Sequence, residues 1–179
     1  MMSKTRLTTL SKASASEADF KELYQQELPR IFNFFRYQVG DDAIAEDLTA
    51  DTFEKAWRNR DRYQSDLSAF STWLFTIARR VAVDHYRKQR PIAPLEDIAE
   101  LPSEDHTEDA TQQREEIARL SILLFRLAER ERELVALKYG AGLTNRAIAN
   151  LTGMTESNVG VTLHRAVQFL RSKWEAHHE

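Results

Sequence analysis

Residues 143–171 read LTNRAIANLTGMTESNVGVTLHRAVQFLR, and this run decides the fold. Thr144 can cap a short helix in which Ala147, Ile148 and Leu151 share one side. Thr152, Gly153 and Met154 make a turn, and a longer helix then turns Val159, Leu163, Ala166 and Leu170 inward. Short helix, glycine-bearing turn, longer helix is the helix-turn-helix pattern. Ala147 is small enough to let the two helices approach, while Ile148, Met154, Val159 and Leu163 supply their common core. The outward face of the second helix carries Ser157, Asn158, Val161, Thr162, Arg165 and Gln168. These include side chains that hydrogen-bond base edges or phosphates, and Val161 suits a thymine methyl. An ordinary helical hairpin has the same spacing, so both readings stand on this segment alone.

Working outward, Ile117 to Leu127 and then about Arg130 to Tyr139 have helical apolar periods, the second ended by Gly140 and Gly142. Glycine is absent from Asp41 through Tyr139, which favours helix. Ser16 and Asp19 stand at capping-box spacing before Phe20, Leu23, Tyr24 and Ile31. Pro29 should kink or divide that helix. Gly40 suits a C-cap, and Asp41 or Asp42 an N-cap for a helix carrying Ile44, Leu48, Phe53 and Trp57. After a loop, Asn59 to Leu67, Ser68 opens a third helix with Phe70, Trp73, Leu74, Ile77 and Val81 inward. The expected fold is all-α: two small helical domains, 16–90 and 114–175, joined by a linker at 91–113.

The 179 residues are 42% hydrophobic and 30% charged, with five glycines and four prolines. That balance supports packed cores and excludes collagen-like or wholly disordered chains. No run is apolar enough to span a bilayer. Met1 to Ser16 has no apolar core segment, so no secretion signal is read there. With no cysteine, disulfides, thiolate zinc sites and cysteine nucleophiles are excluded, and a reducing cytoplasm is the expected location. The five histidines are scattered, and no Ser/His/Asp arrangement, phosphate-cradling loop or zinc signature occurs. No cofactor, metal or catalytic residue is expected, and nothing in the pattern argues for an enzyme.

Net charge is −3, but the charge is segregated. Between Pro91 and Glu116 nine carboxylates face Arg114 alone, a net of −8, leaving +5 on the rest. Just upstream, Arg79, Arg80, Arg87, Lys88 and Arg90 outweigh Asp84. Such a run is either a solvated helix face or a nucleic-acid surface. Trp73, Tyr86 and Tyr63 border it, and aromatic rings beside cations hold single strands by base stacking. Asp42, Glu46, Asp47 and Asp51 form an acidic face that serves solubility or docks a basic protein partner.

Three motifs together resemble the extracytoplasmic-function (ECF) sigma factors of bacterial RNA polymerase. They are Asp42-Ala-Ile-Ala-Glu-Asp-Leu-Thr-Ala-Asp-Thr-Phe53, Phe70-Ser-Thr-Trp-Leu-Phe-Thr-Ile-Ala78 with Asp84 and Arg87, and Leu163-His-Arg-Ala166. The resemblance runs from about Phe20 to Arg171. It implies sigma regions 2 and 4 and a promoter-specific initiation factor. Docking on the β′ clamp helices falls to Asp42, Glu46, Asp47, Thr49, Asp51 and Phe53. Reading and holding the melted −10 element falls to Arg62, Tyr63, Trp73, Arg79, Arg80, His85, Arg87 and Lys88. Reading the −35 element falls to Glu156, Ser157, Asn158, Val161, Thr162 and Arg165, with that domain seated on the β flap. The implied partners are core RNA polymerase, promoter DNA and an anti-sigma factor.

Arg80 stands where the family often has asparagine, and Gly160, Val161 and Thr162 replace a more basic run. The linker, about 22 residues, spans about 70 Å stretched but about 25 Å as a free coil. Promoter elements two helical turns apart are separated by about 70 Å. The free chain is therefore expected to be flexible between domains or folded back on itself, with little promoter affinity until polymerase spreads it.

Overall fold

The computed structural model describes residues 17–63, 69–89 and 108–176. Among them are the helices α1 (Glu17–Val39), α2 (Asp42–Arg58), α3 (Phe70–Gln89), α4 (Glu108–Phe125), α5 (Glu129–Val135), α6 (Asn145–Thr152) and α7 (Glu156–Glu175). A 3-10 turn, Arg60–Arg62, follows α2, and a π turn, Ala136–Gly140, continues α5. No strand occurs among the described residues. The all-α expectation holds. Ser16, Ser68 and residues 91–107 of the acidic stretch lie outside the described residues.

Helix α1 runs unbroken through Pro29, against the expected division. A proline removes one helical hydrogen bond, leaving a carbonyl four residues back. That residue, Gln25, is exposed, as is Pro29 itself, so water can satisfy the carbonyl and the helix continues. Gly40 then stops it with φ +67°, its N–H donating to Arg36 O at 2.9 Å. Asp41 is the cap of α2, its carboxylate accepting the Ile44 N–H at 2.9 Å.

Helices α2 and α3 pack on α1, burying Ile31, Phe34, Phe35, Ala45, Leu48, Phe53, Leu74 and Phe75. Phe34 meets Phe35 and Phe75 edge-on, with centroids 5.1 and 5.8 Å apart. Most of the aromatic-rich first half is therefore core. In the second half, α7 packs on α5 and α6, with Leu134, Ile148, Val159, Leu163 and Ala166 inside. Helix α4 lies along α7, where the Arg119 guanidinium stacks on Trp174 at 4.4 Å. Because α4 starts at Glu108, residues 108–113, expected in the linker, are helical.

The two halves do not keep separate cores. One continuous cluster runs from Phe34 and Leu74 to Leu137, Ile148 and Val159. The π turn and α5 sit on α1, and α6 sits on α3. Of the two states expected for the free chain, the folded-back one is seen.

Candidate nucleic-acid interface

Thr144 Oγ1 accepts the Ala147 N–H at 3.1 Å and opens α6, as the spacing predicts. Gly153, at φ +71°, makes the turn that an L side chain resists. Thr155 caps α7 by accepting the Asn158 N–H at 3.2 Å. With Val159, Leu163 and Ala166 inward, the opposite stripe of α7 faces water. Glu156, Ser157, Asn158, Val161 and Arg165 are exposed, and Thr162 is half-buried beside Asn158. Ser157, Asn158, Val161 and Arg165 share this stripe with Thr162 at its edge, whereas Glu156, seven positions before the inward Leu163, is exposed as the first residue of α7. Sequence reasoning missed Arg146 of α6, which is exposed and reaches Glu156 at 3.4 Å. Its position at the start of α6, ahead of the inward Ala147 and Ile148, is the signal that could have found it.

Helix α3 divides its cations between two faces. Arg80, Arg87 and Lys88 are exposed, Arg87 pairing with Asp84 at 3.1 Å. His85 is half-buried; burial first, then the positive charge of Lys88, hold its imidazole below the usual range. Arg62 is exposed on the 3-10 turn. Tyr63 and Trp73 are half-buried and stack with Phe70, with centroids 5.2–5.5 Å apart. Burial raises the Tyr63 hydroxyl pKa.

Two residues of this group are placed otherwise. Tyr86, read as bordering the cluster, turns inward: its hydroxyl donates to Gln38 O, and Arg132 lies over its ring. Burial raises its pKa, with Arg132 pulling against that rise. Arg79 is aimed at the second half of the chain, its Nε 2.7 Å from Glu133 Oε1 and its Nη1 donating to Leu151 O at 2.5 Å.

On α2, Asp42, Glu46 and Asp47 are exposed, and Asp42 and Asp51 pair with Arg36 and Lys55. Thr49 and Phe53 correct the sequence reading: they are 4% and 5% exposed. Both fall on the face that α2 turns to α1, where Thr49 Oγ1 donates to Ala45 O and the Phe53 ring packs on Tyr24 at 4.4 Å. Beside them a shallow groove of about 390 Å³ is lined by Tyr24, Leu28, Pro29, Phe32, Glu46 and Thr49. Its α1 wall was not among the nominated residues. Among the described residues no cluster of His, Asp or Glu could hold a metal ion, and no helix is long and apolar enough to cross a membrane.

A helix-turn-helix with a polar outer face packs against a basic, aromatic-bordered helix, an all-α arrangement suited to binding DNA. Residues 23–92 match Sigma-70 region 2 and residues 122–170 match Sigma-70, region 4. ECF RNA polymerase sigma factor BldN of Streptomyces coelicolor is 32% identical over 165 residues, 90% of this chain but only 62% of BldN. ECF RNA polymerase sigma factor RpoE of Cereibacter sphaeroides is 31% identical over 87% of this chain and 86% of its own. Sigma factor RpoE of Bartonella quintana, solved with the anti-sigma factor NepR, shares the fold. Its TM-score is 0.70 at 24% identity, over 88% of this chain and 97% of that one. The chain belongs to the ECF sigma factors of RNA polymerase, which act in transcription initiation.

Proposed function

We propose that this chain is a non-enzymatic promoter-specificity subunit that binds core RNA polymerase and directs it by reading −35 and −10 elements. One observation carries the reading: two separate nucleic-acid-type surfaces, the outer stripe of α7 and the exposed cations of α3, lie on the segments matching regions 4 and 2.

Residues 16–90 serve polymerase and −10 binding, and residues 114–175 serve −35 binding. Ser157, Asn158, Val161, Thr162 and Arg165 meet base edges and phosphates in the major groove, while Arg146 and Glu156 set the entry. Arg62, Arg80, Arg87 and Lys88 neutralise the phosphates of the unpaired −10 strand, with the neutral imidazole of His85 beside them, and Tyr63 and Trp73 offer rings to its bases. Asp42, Glu46, Asp47 and Asp51 meet the β′ clamp helices above Thr49 and Phe53, and the second half sits on the β flap. An anti-sigma factor competes for these surfaces.

The test is co-purification with core RNA polymerase followed by run-off transcription from promoters selected out of a random library. A specific transcript that requires this chain supports the proposal. A stand-alone repressor would block transcription, and an adaptor protein would leave it unchanged.

A further inference from the structure

A row of aromatic rings crosses the first half of the chain. Trp57 of α2 meets Phe20 of α1 with centroids 4.9 Å apart, and Phe20 meets Phe70 of α3 at 5.9 Å. Phe70 in turn meets Tyr63 and Trp73 at 5.5 Å each. The middle of the row is buried, Phe20 and Phe70 being 7% and 6% exposed. Its ends are not. Tyr63 and Trp73, half-buried, close it on the side already assigned to unpaired bases, and Trp57, 36% exposed, closes it on the other. These steps put Trp57 and Tyr63 no farther apart than about five nucleotides at a stacked rise of about 3.4 Å each.

At the Trp57 end the row is topped by a cation. The Arg60 guanidinium lies over the indole, 4.1 Å from its centroid, and its Nη1 donates to Trp57 O at 2.9 Å. One main-chain bond fixes the guanidinium without using up its donors. The neighbouring charges are sorted. Lys55 pairs with Asp51 at 2.6 Å and Arg58 with Glu54 at 2.5 Å, each one turn back on α2. Arg60 and the exposed Arg62 pair with no carboxylate among the described residues. A helix C-terminus favours any cation, which accounts for charge at position 60 but not for a plane laid on an exposed ring. Guanidinium planes and aromatic rings both accept the face of a nucleobase, and a base layered on Arg60 lies beside charge that no acid neutralises.

We propose that Trp57 and Arg60 form a second stacking platform, which takes one unpaired base of single-stranded DNA while Arg62 meets an adjoining phosphate. Tyr63 and Trp73 receive bases at one end of the aromatic row, and the Arg60 plane receives a base at the other. A single strand is thereby gripped at two points of one packed stack, and its path between them is set by the buried Phe20 and Phe70. That the strand belongs to a promoter rests on the proposed function; that the platform binds an unpaired base does not.

The experiment gives the full chain two labelled probes of equal length and charge, an oligothymidylate and an abasic deoxyribose-phosphate strand, with binding read by fluorescence anisotropy at low salt. Arg60→Lys keeps the charge but has no plane to stack on. Trp57→Leu keeps apolar cover over Phe20 but has no ring. Each should weaken oligothymidylate binding about fivefold or more, the low end for losing one stacked base, and leave abasic binding unchanged. Arg62→Ala should weaken both probes alike. Circular dichroism and melting show whether Trp57→Leu folds; should it not, Arg60→Lys decides. An Arg60→Lys chain that holds oligothymidylate as tightly as the unaltered one overturns the platform, because charge alone then suffices. Equal losses on the two probes, or an unaltered chain with no preference for oligothymidylate, overturn it as well. If the base-dependent losses appear but the unaltered chain supports no run-off transcription, the proposed function fails and the platform stands.

Discussion

Arg79 and Glu133 lie 54 positions apart in the chain and meet at 2.7 Å, joining the basic helix to the helix-turn-helix half. Glu133 also holds Arg130, whereas Arg79 keeps a helix-end carbonyl whether or not Glu133 is there. The pair is therefore asymmetric. Glu133→Ala takes the anion from two arginines, leaving each only a helix-end carbonyl, and Arg79→Ala leaves Glu133 still paired with Arg130. Urea unfolding should show Glu133→Ala costing about 1–3 kcal/mol and Arg79→Ala less, because partly buried charges left unpaired carry the penalty. The double variant should fall short of the sum by at least about 0.5 kcal/mol, the signature of direct coupling. Strict additivity would show that the two charges do not interact in solution.

The exposed cations of α3 and the acidic face of α2 should separate in function. Replacing Arg80 and Arg87 with alanine removes solvated side chains, so thermal stability should move by no more than about 0.5 kcal/mol. Open-complex formation, followed by permanganate reactivity of unpaired thymines, should fall while affinity for core polymerase holds. Asp47→Lys should do the reverse. Interchangeable effects would mean that the two faces are wrongly assigned.

Which parts of this were legible in the sequence follows from how local each signal is. Thr144 and Gly153 act on hydrogen bonds and dihedrals within three or four residues, so their roles could be read directly, as could Gly40 and Asp41, while the equally local cap at Thr155 was passed over. The inward stripe Val159, Leu163 and Ala166 was legible for the same reason. Pro29 was misread because a helix tolerates the loss of one bond when the freed carbonyl, here on Gln25, faces water. Thr49 and Phe53 came to the docking set only through the family resemblance, although helical period turns both toward α1. Arg79 is the clearest loss. Helical period sets it beside the inward Phe75, Ala78 and Ala82 and puts Arg80 nearly opposite, but its partners Glu133 and Leu151 belong to the far half of the chain.

His85 supplies a pH prediction. Burial and the Lys88 charge lower its pKa in the folded protein, and the Tyr86 ring lies 5.6 Å away. A lowered folded value means that the unfolded chain takes up the proton first as pH falls. Stability is thus fully present above the unfolded value of about 6.5. It declines below that value, until the folded imidazole is itself protonated. Melting curves between pH 8 and 5.5 should show this slope, and His85→Gln should flatten it. An unchanged slope would assign the effect to other groups. Protonation adds a cation beside Arg87 and Lys88, so affinity for a single-stranded oligonucleotide should rise over the same interval.

Gly160 separates stability from recognition. It lies inside α7 without a left-handed φ, and a Cβ there would meet only Asn145 Nδ2 at 3.6 Å, an ordinary contact. Neither strain nor crowding explains a glycine in this helix interior, where it costs about 1 kcal/mol relative to alanine. Gly160→Ala should therefore raise unfolding stability by about 0.5–1 kcal/mol. If the missing side chain lets the DNA backbone approach α7, the same variant should bind a −35 duplex more weakly within the holoenzyme. Because Gly160, Val161 and Thr162 offer no cation, the salt dependence of that binding should be shallower, by roughly two to three units of log–log slope, than for a chain basic at those positions. A variant both more stable and undiminished in −35 binding would show that the glycine serves no close approach, leaving Val161, Thr162 and Arg165 to carry recognition.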